Sequence, residues 1–260
     1  MKKAVVTGGS KNIFDYIGTL AVNIRDVSPQ ICDELVILHD GLSDKDINIL
    51  NSVIPTRAIQ YKCPVSKIKL LLNPVVRYFS PMVFSKIECF RLLKEYDTVT
   101  WIDYDMLLKE DIGELLEHNN DYRLIMNHGV PLKNMLKGDY SREDFASKYD
   151  MNYPSMVAAL FTLNRNSDTD YDALCDFYYD KLQKYSKYLY LPEQALITMM
   201  IQEFGLTYDE IDETVYNVHP KDDNTGARIL HSYGEVKFWN GIDNAIWNDY
   251  YAKWQGIKGK

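Results

Sequence analysis

Residues 96–108 read YDTVTWIDYDMLL: a short apolar run, two aspartates one residue apart, then Met106, Leu107 and Leu108. The run VTWI at 99–102 predicts a buried strand, and Asp103 and Asp105 stand directly at its end. Two carboxylates in so apolar a setting repel each other and resist desolvation. A divalent cation relieves both costs. If the backbone stays extended, both aspartates point to one side. Hard oxygen ligands suit Mg²⁺ or Mn²⁺. The plainer reading is an edge strand whose acid pair faces water. Three other Asp-x-Asp pairs, Asp44/Asp46, Asp168/Asp170 and Asp170/Asp172, precede or open predicted helices. There the exposed N–H groups and the helix dipole explain them.

Working outward from this stretch, the first 105 residues alternate strand and helix. A strand at 4–7 ends in Gly8-Gly9-Ser10, a helical pattern covers 13–27, and ELVILH at 34–39 is a second strand stopped by Asp40-Gly41. Ser43 is a predicted N-cap for a helix to about Val53, and a third strand spans 57–61. A long loop follows to Phe79, carrying Pro64 and Pro74; Ser80-Pro81 then opens a helix expected to reach Tyr96. Such alternation predicts an α/β fold with a mainly parallel central sheet and helices on both faces. Ligands of such sheets sit beyond the carboxyl ends of the strands. Three polar sites are expected there: residues 7–12, His39-Asp40, and 103–105.

The second half is less regular. Asp111 is expected to cap a helix ending near Asn119; strands are expected at 123–126, 157–163 and 228–231, helices at 168–189, 192–204 and 243–255, and a loop at 130–154. No repeat or linker divides the 260 residues.

Composition narrows the function. The formal net charge of -8 argues against a nucleic-acid surface, which needs clustered Lys and Arg. An acidic chain still binds an anionic nucleotide if a metal ion intervenes. Cys32, Cys63, Cys89 and Cys175 form no CxxC pair and are expected to be reduced thiols. The apolar stretch after Met1-Lys2-Lys3 is too short for a signal peptide and no run approaches ~20 apolar residues, so a cytoplasmic protein is expected. The 20 Tyr suit sugar contacts, since a ring offers an apolar face with a polar rim; chance scatter over the surface is the simpler account.

Taken together, these motifs resemble those of family 8 glycosyltransferases, which include lipopolysaccharide galactosyl- and glucosyltransferases and glycogenin. Residues 96–108 are similar to the family's Asp-x-Asp strand, and VILHDGLS at 36–43 to its strand ending in an Asp-Gly-Ile-Ser type turn. HSYGEVKFW at 231–239 looks like the family's His-x-x-Gly-x-x-Lys-Pro-Trp motif, and Glu193-Gln194 falls where the family has an Asp-Gln pair. The matches run in order from Val5 to Trp239. The sequence departs at Phe238 (for Pro), Glu193 (for Asp) and Lys86 (for Arg). Ser155-Met156-Val157 replaces an Asn-Ala-Gly run, and Gly8, Gly9 and Asn12 stand where an Asp and a Tyr usually flank the base.

The resemblance implies a GT-A-like nucleotide-diphospho-sugar transferase fold. It implies one domain over 1–260: a nucleotide-binding half (1–105), an acceptor-side half (106–242) and a C-terminal aromatic helix (243–260). It implies retaining, metal-dependent transfer of galactose or glucose from a UDP-sugar to a hydroxyl of a saccharide or glycolipid acceptor. The implied metal ligands are Asp103, Asp105 and His231, holding Mn²⁺ with Mg²⁺ as second candidate, and an imidazole ligand favours Mn²⁺. Thr7, Gly8, Asn12, Lys86, Asp103, Tyr104, Gly234 and Lys237 are expected around the donor, and Glu193, Gln194 and Lys237 at the reacting centre. A plainer account makes Glu193 a first-turn acid, and Trp239 a packing residue. A transferase-like domain that binds nucleotide-sugar without turnover is the alternative.

Two rival enzymes fit less well. VVTGGS at 5–10 and the Tyr233/Lys237 spacing suggest a short-chain dehydrogenase, but the third glycine of its phosphate turn is missing, and Gly234 weakens a helix there. A haloacid-dehalogenase-type phosphohydrolase needs its Asp-x-Asp strand early in the chain and Thr or Val where Leu107 stands. In the last helix, Trp247, Tyr250, Tyr251 and Trp254 fall on one face, with Lys253, Lys258 and Lys260 nearby. It is expected either to pack on the core or to make a weak peripheral contact with an anionic inner-membrane face.

Overall fold

Strand β1 (Lys3–Gly9) is buried on both sides: Val5 joins one apolar layer, Ala4 and Val6 the other. A strand of that kind belongs in the middle of a sheet covered by helices on both faces, and the computed structural model, which describes residues 1–65, 80–117 and 120–259, places it there. β1 runs parallel to β2 (Glu34–His39) on one side and to β4 (Thr98–Ile102) on the other, and β2 runs parallel to β3 (Thr56–Gln60). Beyond β4 come β7 (Pro154–Asn164), antiparallel to it, then β6 (Tyr122–Pro131) and β8 (Tyr208–Glu210), for the order β3-β2-β1-β4-β7-β6-β8. A two-stranded ribbon, β5 (Met106–Leu108) with β9 (Ile229–His231), lies outside this sheet.

Helices α1 (Phe14–Val27) and α2 (Asp44–Asn51) cover one face of the sheet. Helices α3 (Glu88–Leu92), α5 (Tyr171–Tyr185) and α6 (Pro192–Phe204) cover the other. The short helices α4 (Asp144–Lys148) and α7 (Glu213–Tyr216) sit in connections. The order of strands turns back between β1 and β4, which makes a crevice at their carboxyl ends.

Local signals account for several boundaries. Ser43 caps α2 in a reciprocal capping box with Asp46, Asp170 caps α5, and Gly205 ends α6 in the left-handed conformation. The acids of the three other Asp-x-Asp pairs thus lie at or before helix starts, as expected.

Elsewhere tertiary packing overrode the pattern. The helix expected over 80–96 is a 3-10 run, Pro81–Ile87, followed by the short α3. Met82, Phe84, Ser85, Lys86 and Ile87 are all buried, so the segment has no solvent face to which an amphipathic helix could turn. Asp111 supports a 3-10 turn, Gly113–Leu116, through its bond from the Gly113 N–H (2.8 Å), and the expected end at Asn119 is outside the described residues. So is the 66–79 part of the expected loop, Pro74 included. The 130–154 loop contains a 3-10 turn, Leu132–Met135, and α4. β5, β8 and α7 have three or four residues each, too few to show a period in sequence.

The C-terminal helix α8 (Ala245–Lys258) packs on α1. Trp254 is fully buried, meets Phe14 edge-on at 5.3 Å, and donates from Nε1 to Asp15 (3.0 Å). Gly18 makes room for it, since a Cβ there would stand 2.1 Å from the indole. Trp247 is buried against Phe238, Tyr16 and Tyr251. Lys258 bonds Asp15 at 2.6 Å, and Lys253 reaches Asp26 at 3.5 Å. The helix thus packs on the core, one of the two expectations: both indoles are inside the protein, and both lysines have acidic partners. Lys260 lies outside the described residues. Among the described residues, no helix is long and apolar enough to cross a membrane.

Candidate active site

The crevice between β1 and β4 opens into a cleft of about 1050 Å³. Gly8, Asn12, Lys86, Asp103, Tyr104, Asp105, Glu193, Gln194, His231, Gly234 and Lys237 all line it, so the fold assembles them from five separate stretches of chain. Thr7 is the exception among the expected donor residues. It is fully buried within β1, its hydroxyl has no partner, and it does not reach the cleft. His39 and Asp40 do not line it either, although they stand close by: His39 Nδ1 accepts from the Leu42 N–H (3.0 Å), and Asp40 accepts from the Oγ of Ser10 (2.9 Å), which does line it.

Asp103 and Asp105 do not share an extended strand. Asp103-Tyr104-Asp105 is a turn between β4 and β5, closed by the Met106 N–H donating to the Asp103 carbonyl at 3.1 Å. The turn brings the carboxylates together, and the ribbon supplies the third group. Met106 pairs with His231 across β5 and β9, and Ser232 donates from N and Oγ to the Asp105 carbonyl at 3.0 and 3.1 Å. One ligand atom from each of Asp103, Asp105 and His231 lies within 4.8 Å of the others.

Each aspartate has its own lysine. Lys86 Nζ contacts both Asp103 oxygens (2.8 and 2.9 Å), donates to the Ala158 carbonyl (2.8 Å), and sits over the Trp101 ring. Trp101 Nε1 also donates to Asp103, at 2.6 Å. Gly8 packs closely against this arrangement: a Cβ there would stand 3.1 Å from the Trp101 ring and 3.0 Å from Ser85 Oγ, so the neighbours would have to give by a few tenths of an ångström. Lys237 bonds Asp105 Oδ2. Burial alone would raise the Asp105 pKa, but His231 and Lys237 outweigh it and hold the carboxyl well below the usual range.

The donor set fits a divalent cation. His231 Nε2 faces Asp105 Oδ1 at 3.2 Å, while Nδ1 is taken by the Asn217 side chain at 2.7 Å. Two carboxylates and one imidazole nitrogen suit Mn²⁺ or Mg²⁺. Glu193, in the first turn of α6, is buried, and its Oε2 has no partner. Burial pushes its carboxyl upward in pKa; Lys86 opposes this and Asp103 adds to it.

Sequence reasoning missed Asn217 and the role of Trp101. A lone Asn carries no signal, and a Trp in an apolar strand reads as core. Trp239, expected to pack, does stack on Tyr16 (3.8 Å between centroids, 7°), but it lines the cleft as well. The dehydrogenase pair is absent: residues 233–237 are not helical, Lys237 is held by Asp105, and Tyr233 packs on His231 and His219.

Comparison with known proteins places this α/β sheet and its acid–acid–imidazole cluster in a class of transferases. The model of glycosyl transferase family 8 matches residues 4–243, so the chain belongs to that family and is a glycosyltransferase. A comparison with curated protein sequences finds no match.

Among solved structures, the chain is similar to the galactosyltransferase LgtC in complex with donor and acceptor sugar analogues, at 14% identity and TM-score 0.66, over 98% of this chain and 95% of that one. It is similar to the glycosyltransferase GlyE of Streptococcus pneumoniae TIGR4 in its apo form (15%, TM-score 0.65, 100% of this chain, 62% of that one). Mouse xyloside xylosyltransferase 1 matches more loosely (14%, TM-score 0.53, 89% and 98%). At such identities the likeness speaks to the fold, which is GT-A-like.

Proposed function

We propose that this glycosyltransferase moves a hexose, galactose or glucose, from a UDP-sugar to a hydroxyl of a saccharide acceptor on a surface glycan or lipid-linked saccharide, using Mn²⁺ and retaining the anomeric configuration. The observation that carries the reading is the convergence of Asp103, Asp105 and His231 within 4.8 Å, flanked by two lysines. The LgtC complex with donor and acceptor analogues supports a nucleotide-sugar donor and a saccharide acceptor.

In this reading Asp103, Asp105 and His231 hold the metal, which supplies Lewis-acid neutralisation of the leaving diphosphate. Lys237 exchanges its bond to Asp105 for the diphosphate and adds positive charge where charge develops. Lys86 gives a second cation on the Asp103 side. Gly8, Asn12, Tyr104 and Gly234 shape the donor subsite. Glu193, with its free Oε2, takes the donor-sugar hydroxyls. Gln194 stands beside the anomeric carbon; a side-chain amide is a poor nucleophile, so attack comes from the leaving-group face, with the leaving phosphate accepting the acceptor proton. A trapped covalent glycosyl–enzyme adduct would refute that route. We place the work in the cytoplasm, in one domain over 1–260 whose halves 1–105 and 106–242 both contribute residues to the donor subsite.

A screen of nucleotide sugars with Mn²⁺, reading released nucleoside diphosphate, tests the proposal. Wild type should turn over one UDP-hexose, and Asp105→Ala should lose on the order of 10³-fold or more. Full activity in excess chelator would overturn the mechanism.

A further inference from the structure

Behind His231 lies a short polar chain that leads away from the cluster. His231 Nδ1 lies 2.7 Å from Asn217 Oδ1, and Asn217 Nδ2 donates to Glu213 Oε1 at 3.1 Å. Its direction follows from its far end. An ionised carboxylate only accepts hydrogen bonds, so the amide NH₂ of Asn217 must face Glu213. The amide oxygen then faces His231, and an oxygen accepts. Nδ1 must therefore carry a proton, and Nε2 is the nitrogen left facing Asp105 Oδ1, 3.2 Å away. The ring is thus set in the tautomer that ligates a metal through Nε2.

The backbone holds the chain in place. Asn217 is buried and closes α7, where its N–H donates to the Glu213 carbonyl at 3.0 Å. The next residue, Val218, is clamped to β9, because the His231 N–H donates to its carbonyl at 2.9 Å. Asp212 anchors the start of α7 by accepting from the Thr214 N–H (2.9 Å). Neither Asn217 nor Glu213 belongs to any motif that the sequence displays.

We infer that Asn217 and Glu213 are positioning residues: together they fix the tautomer and ring orientation of His231, and so its affinity for a divalent cation. The inference rests on the proposed metal-binding role of His231. Asn217 acts directly on the ring. Glu213 acts through Asn217 by preventing the amide from flipping.

The experiment uses the full chain and Mn²⁺ alone, with free Mn²⁺ followed by electron paramagnetic resonance and the ring nitrogens of His231 read from long-range ¹H–¹⁵N spectra. Wild type should show the Nδ1–H tautomer. Asn217→Leu keeps the bulk but removes the acceptor; it should lose the tautomer preference and weaken Mn²⁺ binding about 10- to 100-fold. The double variant N217D/E213Q exchanges acid and amide along the chain while keeping an acceptor toward His231 and a donor toward position 217. It should restore both the tautomer and the affinity. Wild-type affinity in Asn217→Leu, an Nε2–H tautomer in wild type, or a double variant as weak as Asn217→Leu would each overturn the inference. If instead wild type and His231→Ala bind Mn²⁺ equally, the metal site itself fails, and the nitrogen spectra still decide the tautomer.

Discussion

Two hollows lie at opposite ends of the same sheet, and both are lined by acids. The one at the amino ends of β1 and β4, about 660 Å³, is bordered by Lys3, Gln30, Thr98, Asp111, Glu114 and Asn164. There Asp111 and Glu114 are answered by the protein. Asp111 Oδ1 accepts from Ser28 Oγ (2.7 Å), from the Gly113 N–H (2.8 Å) and from Gln30. Glu114 accepts from Tyr216 and Arg228. At the carboxyl ends, Glu193 Oε2 is buried without a partner, and the imidazole of His231 faces a carboxylate. Acid content does not separate the two hollows. What separates them is whether the chain satisfies its own polar groups, because a buried group left short of partners is costly unless a ligand completes it.

The sharpest way to break that contrast is at Lys237. If it serves the leaving diphosphate, Lys237→Ala should cost ~3 kcal/mol, about a hundredfold in turnover at saturating donor. Wild-type turnover would return Lys237 to the status of a structural partner of Asp105.

A smaller effect is expected at Glu193, in stability rather than rate. Its folded pKa lies above the unfolded value, so the folded state loses stability as pH rises through the ordinary glutamate range toward the raised value. Glu193→Gln removes that loss. Thermal melts should coincide near pH 4 and separate at pH 7 in favour of the variant, by about 1–3 kcal/mol. Coincidence at both values would show that the buried carboxyl is not strained.

The smallest change belongs to the opposite hollow. Asp111→Ala deletes three hydrogen bonds at a largely exposed position, so about 1 kcal/mol or less should be lost. Turnover and Mn²⁺ binding should not change. A fall in either would erase the distinction between the two ends.

Much of this was legible before folding. The run from Thr98 to Asp105, the helix start at Pro192 and the spacing of His231, Gly234 and Lys237 each carry local information: burial of an apolar strand, a capping signal, and residue types with few structural uses in that order. The failures were of another kind. Residues 81–87 were expected to be α-helical and are a 3-10 run, because burial on all sides decided their winding. The C-terminal aromatics were given the core or a membrane as partner, since periodicity shows that a face is apolar but not what covers it; Gly18 and Asp15 on α1 receive Trp254. Thr7 was expected at the donor, but β1 runs on to Gly9, so Thr7 lies buried inside the strand and Gly8 lines the cleft.

The sequence by itself determined the alternation of strand and helix and the pair of carboxylates at a strand end, because these depend on neighbours a few residues away; His231 was reached only through the family resemblance of residues 231–239. Only the tertiary structure decided that Asp103 and Asp105 meet through a turn, that each has its own lysine, and that Asn217 holds the imidazole from behind. Asn217 stands 14 residues from His231, Lys86 stands 17 from Asp103, and Lys237 stands 132 from Asp105. Contacts at such separations leave no periodic trace, because they are set by how the strands order themselves in the sheet.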